Sequence, residues 1–571
     1  MQVIAEACKW NNFSNGGFKM RFNFDQTIDV EKTNAYMVGA GIASLSAAVF
    51  LIRDGHVPGK NIHIYEELNI TGGSMDGNGN PENGYVIRGG RMFDREAYAC
   101  TFGIMESIPS LTDPKVSILD EFNAFNKKIH THAKARLIDN DAKITDVSTL
   151  GLVRADRMAL MDILINSEDS LGTKTIRECF EEAFFKTNFW LQWTTLFAFE
   201  TWHSAKELKR YLHRFIQELP RLKDLSGIRR TPYNQYDSML LPMTKWLESQ
   251  GVNFELDCRV TDLEFKPSDT ETTVTAFKCI KNGEETRIEL DQGDFAFATI
   301  GSLTAGTSLG SMNTAAKIND KHVGGAWDLW EKIAKGRPEF GNPKVFDERV
   351  EESMWESFTV TLKDPTMYKR IIEYSGNQPG TGAHMTFRDS AWLMTIVLHN
   401  QPHFLSQPDN IEIIWGYSLF PYAKGDFIKK RMVDCTGEEI LSEVIYHLNF
   451  KEDMEKIIKT SICIPCILPF TTAQFLTRAK GDRPQVIPEG STNLALLGQF
   501  CEIEDDVVFT MDYSVRSAQI AVYKFLNLNK RLTPIYKGQH DVRVLINSAM
   551  ELMKDDNLSE EINALKYMLL K

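Results

Sequence analysis

The chain has no apolar run of the ~18 residues that a membrane-spanning helix needs, and residues 1–17 show scattered Asn, Gly and charge in place of an apolar signal core. It has no excess of positive charge: 64 Lys and Arg stand against 77 Asp and Glu, a net charge of −13. That balance speaks against nucleic acid as a partner, since phosphate binding is driven by cationic faces. Cysteine is sparse and odd in number, nine in 571 residues, which is the pattern of a reduced, cytoplasmic protein without a disulfide framework. Internal repeats and low-complexity segments are also missing. What is left, 43% hydrophobic and 25% charged residues, describes a folded chain too long for one core and divided into several units.

The most informative stretch is Asn34 to Leu51. Ala35 to Val38 is short, apolar and β-prone; Gly39-Ala40-Gly41 is a tight turn; Ile42 to Ile52 is small and apolar, suited to a buried helix. Strand, glycine turn and helix open a dinucleotide-binding βαβ unit. Gly39 permits the sharp turn, Gly41 lets backbone N–H groups approach a pyrophosphate at the positive end of the helix, and Ser44 replaces the usual third glycine with a residue still small enough for close helix–strand packing. A second strand, Asn61 to Glu66, ends in a carboxylate positioned for ribose hydroxyls. Gly72-Gly73-Ser74 and Arg88-Gly89-Gly90-Arg91 follow, and an acid-ended strand before a Gly-Gly turn and a basic glycine-rich stretch reads as FAD more than as NAD.

Further along, residues 114–155 alternate as in a small β-rich segment. Arg157 to Ser167 and Thr175 to Phe185 read as helices, Phe189 to Trp202 is an aromatic wall suited to core or to a long apolar ligand, and Ala205 to Ile216 is an amphipathic helix. Val252 to Asp257 and Arg259 to Phe265 read as a β-pair. Two buried strands end in glycine, at Gly301 and Gly498, and the second precedes a helix from Thr510 to Phe525 whose N-terminal turn carries Ser514. The expected fold is α/β (α+β overall), with a discontinuous Rossmann-like FAD-binding domain from residues 34–150, 225–310 and 485–530. An N-terminal arm (1–33), a helical aromatic segment (151–224), a mixed substrate-binding lobe (311–484) and a helical C-terminal tail (531–571) complete it. The tail has an apolar stripe, Val544, Leu545, Ala549, Leu552 and Met553, which reads as packing onto the body; Glu551, Asp555 and Asp556 weaken a membrane-surface reading. Cys463 and Cys466 have redox-motif spacing but lie in an apolar, proline-containing run, and read as two buried thiols.

Several blocks go beyond a generic flavoprotein. Glu66-Glu67-Leu68, Gly72 to Gly77, Arg88 to Arg91, Ser107-Ile-Pro-Ser-Leu111, Trp202-His203-Ser204-Ala205, Tyr233 to Met239, Gln401-Pro402-His403-Phe404 and Lys480 to Pro484 resemble, in order, the oleate hydratase family, once called myosin-cross-reactive antigens. The resemblance implies an FAD-dependent hydro-lyase that adds water across a cis double bond of a free unsaturated fatty acid (oleate, linoleate or palmitoleate) without net redox change, with the reduced flavin preferred. It also implies a homodimer with peripheral membrane contact. By the same resemblance Tyr211 matches the tyrosine that protonates the alkene, Gln235 and His403 match residues that hold the fatty-acid carboxylate, and His399 sits where the family varies between Asn and His.

One position departs. The family's Arg-Gly-Gly-Arg-Glu, with its water-activating glutamate, reads Arg88-Gly89-Gly90-Arg91-Met92 here. A thioether accepts no proton. Three routes for water remain: Asp94 or Glu96 further along the chain, backbone groups together with the flavin, or an altered activity. A side chain displaced by two to four positions rarely lands in the same place, which favours the second route. His399 and His403 are four apart, a metal-ligand spacing on a helix, but Pro402 lies between them and no third ligand is in register, so no metal is expected. Other readings of the same fold are a flavin oxidoreductase or double-bond isomerase acting on lipids or amines, and a non-catalytic FAD- or lipid-binding protein.

Overall fold

A computed structural model describes residues 28–554 apart from 76, 91, 269 and 320–323. The N-terminal arm up to residue 27, the tail beyond 554, and Arg91 lie outside the described residues. The strand–glycine–helix opening forms as its residues require. Ala35–Val38 is a strand and Ile42–Arg53 a helix buried over its first ten residues. That strand lies at the centre of a five-stranded parallel sheet. Its neighbours are Phe295–Thr299 on one side and Ile62–Tyr65 on the other, with Leu494–Leu497 and Asn253–Glu255 outermost. The sheet therefore draws together stretches more than 400 residues apart, and the carboxyl ends of its strands converge on one edge, where open α/β sheets bind ligands.

The second large sheet has seven strands and is antiparallel except at one edge, where Leu137–Ile138 pairs parallel to Ala383–Phe387. Alternation divides its residues between two cores. In the strand Glu412–Ser418, Ile414 packs into the outer cluster with Phe358, Met385 and Ile396, while Trp415 and Tyr417 join the large central cluster. Among the described residues no helix is long and apolar enough to cross a membrane.

Four expectations are corrected. Asn253–Glu255 does not pair with the strand that follows it. Asp257 takes a left-handed turn (φ 52°), which sends the chain from the parallel sheet into a separate three-stranded antiparallel sheet containing Cys258–Phe265. Residues 114–155 are not β-rich, because Ser117 and Asp120 form a reciprocal capping box that starts a helix over Ile118–Lys128. Thr175 to Phe185 is not one helix but two single turns, Arg177–Cys179 and Glu182–Lys186, separated where Phe180 stacks on Phe184 with ring centroids 3.8 Å apart.

The helix Ala205–Arg214 has no solvent-facing polar side; Lys206, Glu207, Lys209, Arg210 and Arg214 are all buried. Their charge is met internally. Arg210 Nη1 lies 2.7 Å from Glu502, Arg478 Nη2 lies 3.0 Å from both Glu207 and Glu502, and Arg483 lies 3.0 Å from Glu207. The tail helix Val542–Leu552 packs Val544 and Leu552 on the central core and leaves Leu545 exposed. Cys463 and Cys466 are buried on the strand Ser461–Leu468 in two different clusters, so their spacing makes no redox pair.

Two tests follow from the packing. Phe358 lies directly across from Gly416, and a Cβ on Gly416 would enter its ring. Phe358→Ala is expected to cost about 3–5 kcal/mol in denaturant unfolding. Burial acts to raise Glu502, but the guanidiniums of Arg210, Arg478 and Arg483 outweigh it and hold the carboxyl at about 2, against an ordinary 4.5. Its stabilisation is complete above the ordinary value and is lost as pH falls from there through about 2. The stability difference between the wild type and Glu502→Gln, measured by urea unfolding across that window, should shrink with acidity; a constant difference contradicts the assignment.

Candidate active site

At the carboxyl edge of the parallel sheet, Gly39 takes φ 88° and Gly41 caps the first helix without a side chain. That helix has no acid in its first turn and no side-chain hydrogen bond at its cap. The second glycine turn lies against the first. Gly72 N–H donates to the Ala40 carbonyl at 2.9 Å, and a Cβ on Gly73 (φ 57°) would stand 3.1 Å from the Gly41 Cα. Glu66 braces this pair of turns: one carboxylate oxygen accepts Ala40 N–H at 2.6 Å and the other accepts Leu68 N–H at 3.0 Å.

Behind these turns is a cavity of about 400 Å³. Gly39, Gly41, Glu66, Gly73 and Ser74 line one side. Gly301, Gly498 and Ser514, from the distant strand ends and the helix Met511–Phe525, line the other. Ser44 does not line the cavity; fully buried, its Oγ lies 3.2 Å from Thr299 Oγ1 and ties helix to strand. Its small size serves packing, as the sequence pattern requires.

A second cavity of about 90 Å³ adjoins the first and shares Arg88, Leu303 and Thr304 with it. Tyr211 faces it from the helix Ala205–Arg214, at 1% exposure and with Phe199, Phe197 and Phe215 rings 4.9, 5.3 and 5.6 Å away. Its hydroxyl donates to the Val508 carbonyl, and burial pushes its pKa well above the ordinary 10. Met92 lines the same cavity, as does Asp94; Glu96 does not.

The opposite wall comes from the inner face of the seven-stranded sheet. It includes Trp355, His384, Trp415 and Tyr417. Arg136, fully buried, donates from Nη1 to His384 Nδ1 at 2.9 Å. Arginine has no acceptor, so the proton of the neutral imidazole must sit on Nε2, which donates to the Tyr417 hydroxyl at 3.0 Å; that hydroxyl donates to the Thr195 carbonyl.

A third, narrower pocket shares Arg230 with the second and is lined by Gln235, His399 and His403. The two imidazoles do not sit on a helix. They lie on the loop after the strand Met394–Leu398 and stack face to face, with centroids 4.1 Å apart. Burial, then the charge of Arg230, lowers His403 to about 3; burial, His403 and Arg230 lower His399 well below its ordinary value. Both are therefore neutral. Arg230 is itself buried, its pKa brought down by burial to about 10, and among the described residues neither Nε nor Nη2 has a hydrogen-bond partner. Gln235 donates to Thr231 Oγ1 at 3.2 Å. Arg230 and the Arg136–His384–Tyr417 chain carry no motif spacing and emerge only in three dimensions.

In sequence, the MCRA family model matches residues 32–523. An oleate hydratase of Streptococcus pyogenes serotype M49 (strain NZ131) is 39% identical over 529 residues, 91% of this chain and 89% of that protein. A linoleate hydratase of Lactiplantibacillus plantarum is 34% identical over 566 residues, 91% of this chain and 98% of that protein. Among solved structures, an oxidoreductase from Methanosarcina mazei aligns with a TM-score of 0.48 at 10% identity, covering 86% of this chain and 99% of that one. Matched across most of its length by the family model and by two such relatives, the chain belongs to the MCRA family.

Proposed function

We propose that this protein adds water across a cis double bond of a free unsaturated fatty acid, with FAD in the large cavity and Tyr211 as the proton donor. The observation that carries this reading is the linear order of the three cavities: a nucleotide-type cradle, a small aromatic-walled chamber with a phenol, and a polar pocket with a buried, unpaired guanidinium, each sharing residues with the next. The names of the two relatives, an oleate and a linoleate hydratase, point the same way.

The residues of the cradle suit a dinucleotide. The close approach of Gly73 to Gly41, which a Cβ would fill, and the uncapped helix N-terminus match a pyrophosphate, and the Glu66 carboxylate in the cavity wall suits a ribose. Gly301, Gly498 and Ser514 complete the wall. When bound, FAD in its reduced form supplies electron density that favours developing positive charge on the alkene, with no net redox change.

The remaining work belongs to the chain. Arg230, Gln235 and His403 take the fatty-acid carboxylate, which gives the unpaired guanidinium its counter-charge. The acyl chain passes between the aromatic walls. Tyr211 gives its hydroxyl proton to one alkene carbon while water bonds to the other and releases a proton to the protein. A phenol with a pKa of about 10 is a weak acid, so close placement and exclusion of bulk water must supply much of the rate. Tyr211, nearly inaccessible and held neutral by burial, is suited to that role.

Oleate incubated anaerobically with the FAD-loaded, reduced protein is expected to gain the mass of one water. Loss of two hydrogens, an isobaric shift or an absence of product overturns the reading. Tyr211→Phe should keep fold and flavin binding but lose at least about 100-fold in turnover, the scale of a lost general acid.

A further inference from the structure

Within the hydratase reading, we propose that Asp94 accepts the proton released by the attacking water. Met92 lies in the wall of the Tyr211 chamber, where its thioether accepts no proton. Among the described residues that line this chamber, Asp94 is the one carboxylate. The sequence spacing argues for a route through backbone groups and the flavin, because a displaced side chain rarely reaches the same place. The fold answers that objection for Asp94: the two-residue ribbon Phe93–Asp94 with Ile228–Arg229 fixes it beside the chamber.

Neutral donors hold the Asp94 carboxylate in place. Its Oδ1 accepts the N–H groups of Glu96 at 3.0 Å and Ala97 at 2.7 Å, and Gln217 Nε2 lies 3.4 Å from both oxygens. All three donors are neutral, and among the described residues no cation forms an ion pair with Asp94. The titratable and charged groups around it are Arg95, Glu96 and Tyr98 on its own segment, Tyr211 and Arg214 on the neighbouring helix, Glu218 and Arg221 on the turn Ile216–Arg221, Arg229 on the paired strand, Arg88 and Arg230 in the chamber wall, and Tyr536.

The step balances. The Tyr211 O–H bond breaks and a C–H bond forms at one alkene carbon. The water oxygen bonds to the other carbon, and one of its O–H bonds breaks to leave a proton on Asp94. Return of that proton through the shared chamber to the Tyr211 phenolate restores both groups, and no electrons are gained or lost.

The test uses full-length, FAD-reconstituted protein and oleate. Asp94→Asn keeps an oxygen for the Glu96 and Ala97 N–H groups but removes the base, and should lower kcat by at least about 100-fold with KM little changed. Asp94→Asn turning over at the wild-type rate overturns the proposal while leaving the hydratase reading intact. A wild type that hydrates nothing overturns both.

Discussion

Two backbone turns that approach to within the space of a missing methyl group set the geometry on which everything else depends. Gly73 lies this close to Gly41 because it has no side chain, and Gly39 and Gly73 hold left-handed conformations that other residues resist. The Glu66 carboxylate ties the first turn to the second strand, and the Gly72–Ala40 hydrogen bond ties the two turns together. This junction fixes the open helix N-terminus at the sheet's carboxyl edge. Arg88, whose Nη2 donates to the Gly73 carbonyl at 2.7 Å, then carries the second turn across to the neighbouring chamber.

Charge is distributed unevenly along the line of cavities. The nucleotide cradle has an acid and open amides. The middle chamber has one carboxylate, on the same side as Met92, and a wall of aromatic rings. The far end has the buried guanidinium of Arg230 with neutral imidazoles beside it, while Arg136 lies behind the His384 wall of the middle chamber. Burying an unpaired guanidinium is expensive unless a ligand supplies the missing charge. Arg136 spreads part of its cost over the His384–Tyr417–Thr195 hydrogen-bond chain, whereas Arg230 has no such outlet. A ligand with a carboxylate at one end and an apolar body satisfies both the cation and the aromatic wall, which is why a fatty acid suits this line better than a small amine or a soluble metabolite.

Much of the nucleotide side was legible in the sequence because its signals are local. A β-prone tetrapeptide, a glycine turn and a small-residue helix occupy eighteen consecutive residues, and strands ending at Gly301 and Gly498 repeat the same short grammar. Features that depend on distant partners were not legible. Asn253–Glu255 looks like half of a hairpin until Asp257 turns the chain out of the sheet. The charges of the helix Ala205–Arg214 read as a solvated face, yet they are met by Glu168, Glu502 and Arg478, up to about 300 residues away. Arg230 follows another arginine in an unremarkable loop, and only its burial marks it. His399 and His403 show a helical spacing on a stretch that is not a helix, as Pro402 between them indicates, and their rings stack instead of converging on a common point. For Asp94, the sequence argument from displacement is sound in general but did not include the short ribbon with Ile228 that holds it in place.

The central claim is that cofactor, double bond and carboxylate lie in one continuous line. The most direct measurement is a crystal structure of the protein with FAD and a long-chain fatty acid bound together. The account predicts the isoalloxazine at the cradle edge shared with Arg88 and Leu303, the acyl chain passing Tyr211, and the carboxylate against Arg230, Gln235 and His403. A fatty acid bound with its carboxylate toward the flavin, or bound outside the Tyr211 chamber, would contradict it.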